Sequence, residues 1–450
     1  MDLSQWNFDE LSRNNYEQAC NTYPAQAIVN MIALRNNIRH LVDVTQHADR
    51  SAQTAVMGVV KADAYGHGVI PTALAALAGG ASWLGSAQPR EALMVRNAGI
   101  GVDRCRILCW LYNVKHAPLE ELISHDIDVA VGSLPMIDAV MKAAKNINKT
   151  ARVHVKVDTG FGRNGFTQEE FPVAIQRLAA LAKSGTIEVV GQWSHLAVAD
   201  APANASFVQC TDNQIAVFNR CTAMMQEAGI APQVRHLANT AATLTRDSIH
   251  FELVRPGIAL YGYEPDSAMG SPSKYHLQPA MTLQAQLGTV KHVPAGYGIS
   301  YGRTYITEQD TSVAIVPIGY ADGIHRSASG YNKLGSAHVE KIGGPVLVKT
   351  TQGNKVFHVS GRVCMDQFVI DLHGDAHELG VHEGDTVTLF SDGAGANVGE
   401  PTADDWAKAA DTISYEIFTC LRNRIPRLYL GARDVLSESD LRLLDASTIL

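Results

Sequence analysis

No apolar stretch in this chain approaches the roughly 20 residues that a bilayer-spanning helix requires. The first residues, Met1 to Glu10, carry neither a basic n-region nor an apolar h-region, so no export signal is read there and a cytoplasmic protein is expected. Excess positive charge is also missing. The net charge of −8 leaves no electrostatic footprint for nucleic acid and no basic face for anionic lipid, and solubility is its simplest meaning. The seven cysteines include no Cys-x-x-Cys pair and are odd in number, which argues against a disulfide framework. Cys105 and Cys109 lie four apart in a strand-like run and so share a face instead of forming a metal knuckle; no metal is expected, and reduced, mostly buried thiols are. Charged residues make up only 18% against 46% hydrophobic, a globular balance without the signature of disorder.

What is present is 450 residues, more than one ordinary core holds, so two domains are expected. Residues 1–26 read as a polar arm. Within 27–270, strand candidates recur at 56–61, 83–87, 105–110, 128–131, 152–158, 187–195, 234–239 and 252–255, with helical patterns between many of them. Ile70-Pro71 starts one helix that Gly79-Gly80 closes, and Thr167-Gln168-Glu169-Glu170 is a capping-box pattern ahead of another at 171–181. A further strand is read at 27–31 and a helix through Leu34, Ile38, Leu41 and Val42. Eight strands alternating with helices over roughly 200 residues fit an α/β fold of the TIM (β/α)8 type. Linker chemistry follows around 263–282. Residues 271–450 then alternate with period two and show a helical pattern only at 403–422, which predicts a mainly β C-terminal domain closed by one helix.

The organising stretch is Gly58-Val59-Val60-Lys61-Ala62-Asp63-Ala64-Tyr65-Gly66-His67-Gly68. Its apolar run ends on a lysine, at the carboxyl edge of a strand where α/β folds place their chemistry, and buried lysines are common Schiff-base formers. The plainer alternative is a lysine that marks a strand end at the surface. Tyr65 follows the same strand, and other strand ends carry Lys156, Asp158, Arg163, His195, Asn239, Thr240 and Arg255. Taken singly each has a bland explanation, such as a hydrogen-bonded core histidine or an ordinary ion-pair arginine. Jointly they mark one rim. The loops after the seventh and eighth strands often bind phosphate in barrels, and Thr240, Gly257 and Ile258 offer a hydroxyl and backbone N–H groups there. A phosphate site opposite a strand-end lysine is what pyridoxal phosphate requires. Arg255, in the position addressing the pyridine nitrogen, is a poor proton donor and makes a weak electron sink, which favours proton exchange at Cα. The G-x-G-x-x-G match at Gly160–Gly165 lacks the acidic residue at the end of the next strand that a dinucleotide fingerprint wants, so it is set aside.

These residues resemble the alanine racemase family from about residue 27 to 430. The resemblance runs through the Lys61 segment, Asp158-Thr159-Gly160-Phe161-Gly162-Arg163, Ala238-Asn239-Thr240-Ala241, Val254-Arg255-Pro256-Gly257-Ile258 and Ser300-Tyr301-Gly302. It continues through Pro317–Gly323, Gly361–Gln367 and Ile413-Ser414-Tyr415. It implies a pyridoxal phosphate barrel followed by a β domain, interconverting L- and D-alanine to supply cell-wall peptidoglycan in bacteria. On that resemblance Lys61 holds the cofactor and exchanges the proton on the D face, and Tyr301 from the second chain of a homodimer is the opposite base, so the active sites are composite. Tyr65, Thr240, Gly257, Ile258 and Tyr415 hold the phosphate, with Asn239 beside them, while His195 lies against the ring and links Tyr301 to Arg255. Arg163 and the N–H of Met365 take the substrate carboxylate, and Lys156 stands where many members carry a carbamylated lysine. Asp200, Tyr320, Arg326, Arg362 and Ile413 resemble the lining of the narrow substrate entrance. A broad-specificity racemase of the same fold is the nearest rival.

Overall fold

The computed structural model describes residues 18–19, 21–46, 53–393, 395 and 399–448; the arm expected up to residue 17 lies outside them. The chain divides into two compact units. One comprises 32–64, 69–278 and 435–450, and the other 1–31, 65–68 and 279–434. Strands are numbered along the chain, beginning with β1, Ala25–Asn30.

The first unit is the barrel. Its strands are β2 (Ala55–Val59), β3 (Trp83–Ser86), β4 (Arg106–Cys109), β5 (Ile127–Val131), β6 (Ala151–Lys156), β7 (Ile187–Trp193), β8 (Val234–His236) and β9 (Leu253–Val254). All pair in parallel, in the order β8-β7-β6-β5-β4-β3-β2-β9. Just beyond β8 and β9 the N–H of Arg255 donates to the Ala238 carbonyl at 2.9 Å, joining the two ends of the sheet. Met57, Trp83, Leu108, Ala130, Val190, Trp193 and Leu253, drawn from six of the strands, form a buried cluster. At about 1.5–3 kcal/mol for each large side chain, this burial holds the ring together. All eight strand candidates are present, and each begins within a residue of its expected start. The capping-box pattern also forms: Thr167 N–H donates to Glu170 Oε2 at 3.1 Å and Glu170 N–H returns to Thr167 Oγ1 at 3.3 Å.

The second unit is mainly β. It adds β10 (Met281–Gln286), β11 (Val290–Val293), β12 (Gly298–Ile299), β13 (Tyr305–Ile306), β14 (Thr311–Val316), β15 (Pro345–Thr350), β16 (Gly353–His358), β17 (Phe368–Asp371), β18 (Thr386–Phe390) and β19 (Arg427–Leu430). A six-stranded sheet runs β16-β15-β18-β10-β1-β19, beside a three-stranded sheet β11-β14-β17 and the pair β12-β13.

Several sequence expectations need correction. The strand read at 27–31 exists as β1, but it pairs antiparallel with β10 and parallel with β19, in the β unit. The contact units therefore do not follow the boundaries at 26/27 and 270/271. Residues 435–450 also group with the barrel, where Arg104 and Asp440 pair at 2.6 Å. The single helix expected at 403–422 is two, Ala403–Ala410 and Ser414–Thr419, because Asp411 caps the first with φ +57 and ends its hydrogen-bond ladder. Short helices Ala432–Val435 and Glu438–Thr448 follow β19. The six described cysteines are all free thiols, but only Cys105, Cys109 and Cys221 are buried. No helix among the described residues is long and apolar enough to cross a membrane.

Candidate active site

Lys61 follows directly on β2, where the Val60 N–H donates to the Gly85 carbonyl at 2.9 Å. The chain then winds left-handed through Ala62, Asp63, Ala64 and Tyr65, all with φ between 52 and 54. Four consecutive non-glycine residues in this region cost on the order of 1–2 kcal/mol each. Side chains fix the turn: Glu91 Oε1 accepts from the Ala62 N–H at 2.5 Å, and Asp63 Oδ1 accepts from the Val69 N–H at 2.9 Å. The lysine therefore sits where backbone strain and two carboxylates hold it. Burial pulls its ammonium below the ordinary value, as does the positive charge of Arg163, against the opposing pull of Glu91.

The same rim collects other cations. Lys156 closes β6, buried, with its Nζ 4.5 Å from the centre of the Trp193 ring. Burial, Arg163 and Arg255 bring its amine down to about 8, so a sizeable fraction is neutral near physiological pH. Arg163 is exposed and stacks on Phe161 at 4.2 Å, while Phe161 meets His195 edge-on at 5.6 Å. Arg255 is buried, and its guanidinium donates to the His236 carbonyl at 2.6 Å and the Ser194 carbonyl at 2.7 Å. Its Nη2 also stands 3.4 Å from His195 Nδ1. Burial draws Arg255 down to about 9, which leaves it charged at neutral pH. His195 is driven well below its ordinary value by burial, then by Arg255, Arg163, Lys156 and Lys61, so its ring is neutral.

Asp158 pulls Lys156 the other way, but its carboxylate is also engaged by the loop that follows it. Its Oδ1 accepts from the N–H groups of Gly160, Phe161 and Gly162 at 2.9, 2.9 and 3.2 Å. That also explains the G-x-G-x-x-G match: the amides that a phosphate would need are occupied by a carboxylate of the chain itself. Gly160, Gly162 and Gly165 have φ of 120, 71 and 120, which the loop requires and L side chains resist.

The phosphate-type loops lie after β8 and β9. Asn239 caps helix Thr240–Thr245, accepting from the Ala242 N–H at 3.2 Å. Thr240 Oγ1 accepts from the Gly257 N–H at 2.9 Å, just before the 3-10 turn Ile258–Tyr261. Hydroxyl and amide thus adjoin, as an anion cradle needs. Asp200 is half-buried in the loop between β7 and helix Ala205–Glu227.

Beneath Arg255 runs a buried chain that the strand-end reading missed. Arg255 Nη1 is 3.2 Å from His236 Nδ1, His236 Nε2 is 2.8 Å from His154 Nδ1, and His154 Nε2 is 3.2 Å from Asp128 Oδ2. An arginine only donates and an ionised aspartate only accepts, so both tautomers follow: each imidazole carries its proton on Nε2. Burial lowers both histidines, which keeps the two rings neutral. Burial alone would raise Asp128, but His154, Arg106 and Arg152 hold its carboxyl low. Gly191 makes room for this chain, since a Cβ there would stand 2.2 Å from His154 Nδ1. The available signal was a histidine inside each of two strands otherwise destined for the core.

The remaining candidates belong to the β unit. Tyr65 is buried and its ring is 5.8 Å from that of Tyr415; burial raises its phenol above the ordinary range. Tyr301 is 70% exposed at the head of a turn in which Ser300, Gly302 and Arg303 have φ of 58, 73 and 49. Ser300 Oγ donates to the Arg362 carbonyl at 2.6 Å and fixes that turn. Met365, Tyr320 and Ile413 are likewise exposed, Arg326 is exposed and Arg362 half-buried. The Ala321 N–H donates to the Met365 carbonyl at 2.9 Å and the Tyr320 N–H to the Cys364 carbonyl at 3.0 Å, so these residues share one framework.

The arrangement on the barrel suits an anionic ligand with two charged ends. Lys61, Lys156, Arg163 and Arg255 repel one another in part, and Glu91 and Asp158 are carboxylates that pull against them. The chain matches known proteins along most of its length. The profile described as "Alanine racemase, N-terminal domain" matches residues 29–265, and "Alanine racemase, C-terminal domain" matches 280–429. A protein named alanine racemase from Beutenbergia cavernae is 46% identical over 413 residues, 92% of this chain and all of that protein. One from Streptomyces coelicolor is 43% identical over 409 residues, 90% of this chain and 96% of its own. The crystal structure of alanine racemase from D-cycloserine-producing Streptomyces lavendulae superposes with a TM-score of 0.80 at 43% identity, covering 91% of this chain and 97% of that one. By profile, relatives and fold alike, the chain belongs to the alanine racemase family of isomerases.

Proposed function

We propose that the protein interconverts L- and D-alanine with pyridoxal phosphate, acting in the cytoplasm as a source of D-alanine for cell-wall peptidoglycan. The observation that carries this reading is the rim on which burial and neighbouring cations make Lys61 and Lys156 less basic in spite of the opposing pull of Glu91 and Asp158, so that negative charge is in short supply there. A cofactor phosphate and a substrate carboxylate supply that missing charge, so the residues present fit the cofactor. Lys61 would hold it covalently, Thr240 and the amides of Gly257 and Ile258 would take the phosphate, and Arg255 would address the ring nitrogen. Family resemblance adds Tyr65, Tyr415 and Asn239 to the phosphate end. When bound, pyridoxal phosphate supplies an electron-withdrawing ring that acidifies the substrate Cα–H.

The chain's own work is then proton handling. Lys61 Nζ carries the proton on the D face. The Tyr301 hydroxyl carries it on the L face, contributed by a second copy of the chain in a homodimer with two composite sites. The exposure of Tyr301, Met365, Tyr320 and Ile413 supports this, because it leaves these side chains available to a second copy. Arg163 and the Met365 N–H orient the carboxylate, and neutral His195 offers the tyrosine a hydrogen-bond partner. Asp200, Tyr320, Arg326, Arg362 and Ile413 narrow the entrance. Lys156, brought to about 8, presents enough neutral amine to add carbon dioxide, releasing one proton and forming the carbamate that would brace Arg163.

The test is solvent deuterium incorporation at Cα across a panel of L-amino acids. Exchange fastest with alanine is expected; lysine or serine exchanging as fast would replace this reading with a broad-specificity racemase. Carbamylation is checked by carbon-13 NMR of the protein equilibrated with labelled bicarbonate, in which a carbamate signal lost in Lys156→Met is expected.

A further inference from the structure

Within the β unit, three side chains of different ligand type converge. A ring nitrogen of His325, a carboxylate oxygen of Glu416 and the sulfur of Cys420 all lie within 4.8 Å of one another. They come from two segments. Glu416 and Cys420 are four residues apart, on and just past helix Ser414–Thr419, where Cys420 N–H donates to Glu416 O at 3.0 Å, so both point to one side. His325 immediately precedes the 3-10 turn Arg326–Ala328.

The two segments are fastened together by backbone. Arg422 N–H donates to the Asp322 carbonyl at 3.0 Å. Gly323 approaches the Cys420 carbonyl so closely that a Cβ would stand 2.2 Å from its oxygen. Asp322 is buried, with its carboxylate accepting from the Gly319 N–H at 2.8 Å and the Tyr23 hydroxyl at 2.7 Å. The spacing of His325 to Cys420 is therefore set by the fold and not by flexible surface chains. Glu416 already faces His325, Oε2 to Nε2 at 3.5 Å, and also meets the Thr412 hydroxyl. Glu416 is exposed while His325 and Cys420 are half-buried, which gives an ion a way in.

We propose that His325, Glu416 and Cys420 form a binding site for a zinc-class divalent ion. Imidazole, carboxylate and thiolate together suit Zn2+ and not Mg2+ or Ca2+, which take oxygen ligands. Three protein ligands leave a fourth position for water. Binding replaces the thiol proton by the metal and releases that proton to solvent. Burial and Glu416 hold the Cys420 thiol up while Arg422 draws it down, and the charge of the ion supplies the rest. An occupied site immobilises the side chains of His325, next to Arg326, and Glu416, next to Tyr415, and adds positive charge there, so it slows racemisation. This consequence, unlike the site, rests on the function proposed above.

Tag-free holoenzyme is dialysed against Zn2+ and its metal content measured, then reloaded with Co2+ as a spectroscopic probe. One equivalent per chain is expected, with a visible cobalt band and a thiolate-to-cobalt charge-transfer band that Cys420→Ser removes. Loss of an outer-sphere partner costs a metal site about 10–100-fold in affinity, so Cys420→Ser and His325→Gln should each weaken zinc binding at least about tenfold. Absence of the bands, or bands that survive in Cys420→Ser, overturns the site. Racemase activity of the wild type should fall as Zn2+ fills the site and stay unchanged in Cys420→Ser; equal zinc response in the two overturns the coupling. An enzyme without racemase activity in metal-free buffer refutes the proposed function, while the cobalt spectra still judge the site.

Discussion

The barrel and the β unit contribute candidate residues of opposite character. On the barrel, Lys61, Lys156 and Arg255 are wholly or largely withdrawn from water, and burial and neighbouring charges have altered each of them. In the β unit, Tyr301 stands exposed on a turn that a hydrogen bond and unusual backbone angles hold in place, and Tyr320, Met365 and Ile413 are exposed as well. A buried, perturbed cation explains itself as chemistry within its own fold. An exposed tyrosine on a rigid turn does not, and gains a purpose only from something placed against it. The lesson is that reactivity in the first region is built by removal of water, and in the second by presentation.

The largest expected effect tests the first region. Lys61→Ala should reduce D-alanine formation by at least about 10⁴-fold, since both covalent attachment and a proton carrier are lost; the assay is D-alanine release with cofactor absorbance read in parallel. Tyr301→Phe should cost about 10²–10⁴-fold, most of it from the L side. The melting of that variant should change little, because only one hydroxyl is removed and the ring stays. Mixing the two inactive chains should restore activity if the sites are composite; no recovery after verified subunit exchange would leave the β unit's exposure unexplained.

Smaller effects probe what supports the rim. Asp128→Asn leaves Arg106 and Arg152 without their buried counter-charge and should destabilise the fold by about 3–5 kcal/mol in urea titrations. Lys156 is predicted to impose a pH dependence of known sign. Its folded value, about 8, lies below the ordinary 10.5, so the unfolded chain binds more protons in between, and stability should rise over that window. In bicarbonate-free buffer the rise should flatten in Lys156→Met. Smallest of all, Ala62→Gly should stabilise by about 0.5–1 kcal/mol. It relieves about 1–2 kcal/mol of left-handed backbone and loses about 0.4–1 to the freer unfolded chain.

Local pattern made the barrel legible. Apolar runs, proline-led helix starts and glycine stops repeat along it, and parallel strands follow from their alternation with helices. Lys61, Arg163 and Arg255 could be read because strand ends are where such a fold puts reactive groups. What could not be read depends on distant partners. Nothing between residues 25 and 30 announces that β1 pairs with β10 and β19 and not with the barrel. Nor does any local signal join Asp128, His154 and His236, since each sits in its strand like an ordinary core residue. Asp411 shows a third kind of miss: the apolar spacing of 403–422 continues unbroken, and only a left-handed cap splits it.

The imidazole chain under Arg255 has a consequence for transport. To pass a proton along it, both rings would have to take a hydrogen at Nδ1 and release one from Nε2. The shifted pair would aim an N–H at the guanidinium, and resetting it would require turning His236, which lies flat against Trp193 at 5.7 Å, and His154, wedged by Gly191. One tautomeric arrangement is thus favoured, and a shifted pair falls back to it. It fixes where the positive charge of Arg255 points, and since burial keeps both rings neutral, neither should add a titration to the pH profile of turnover.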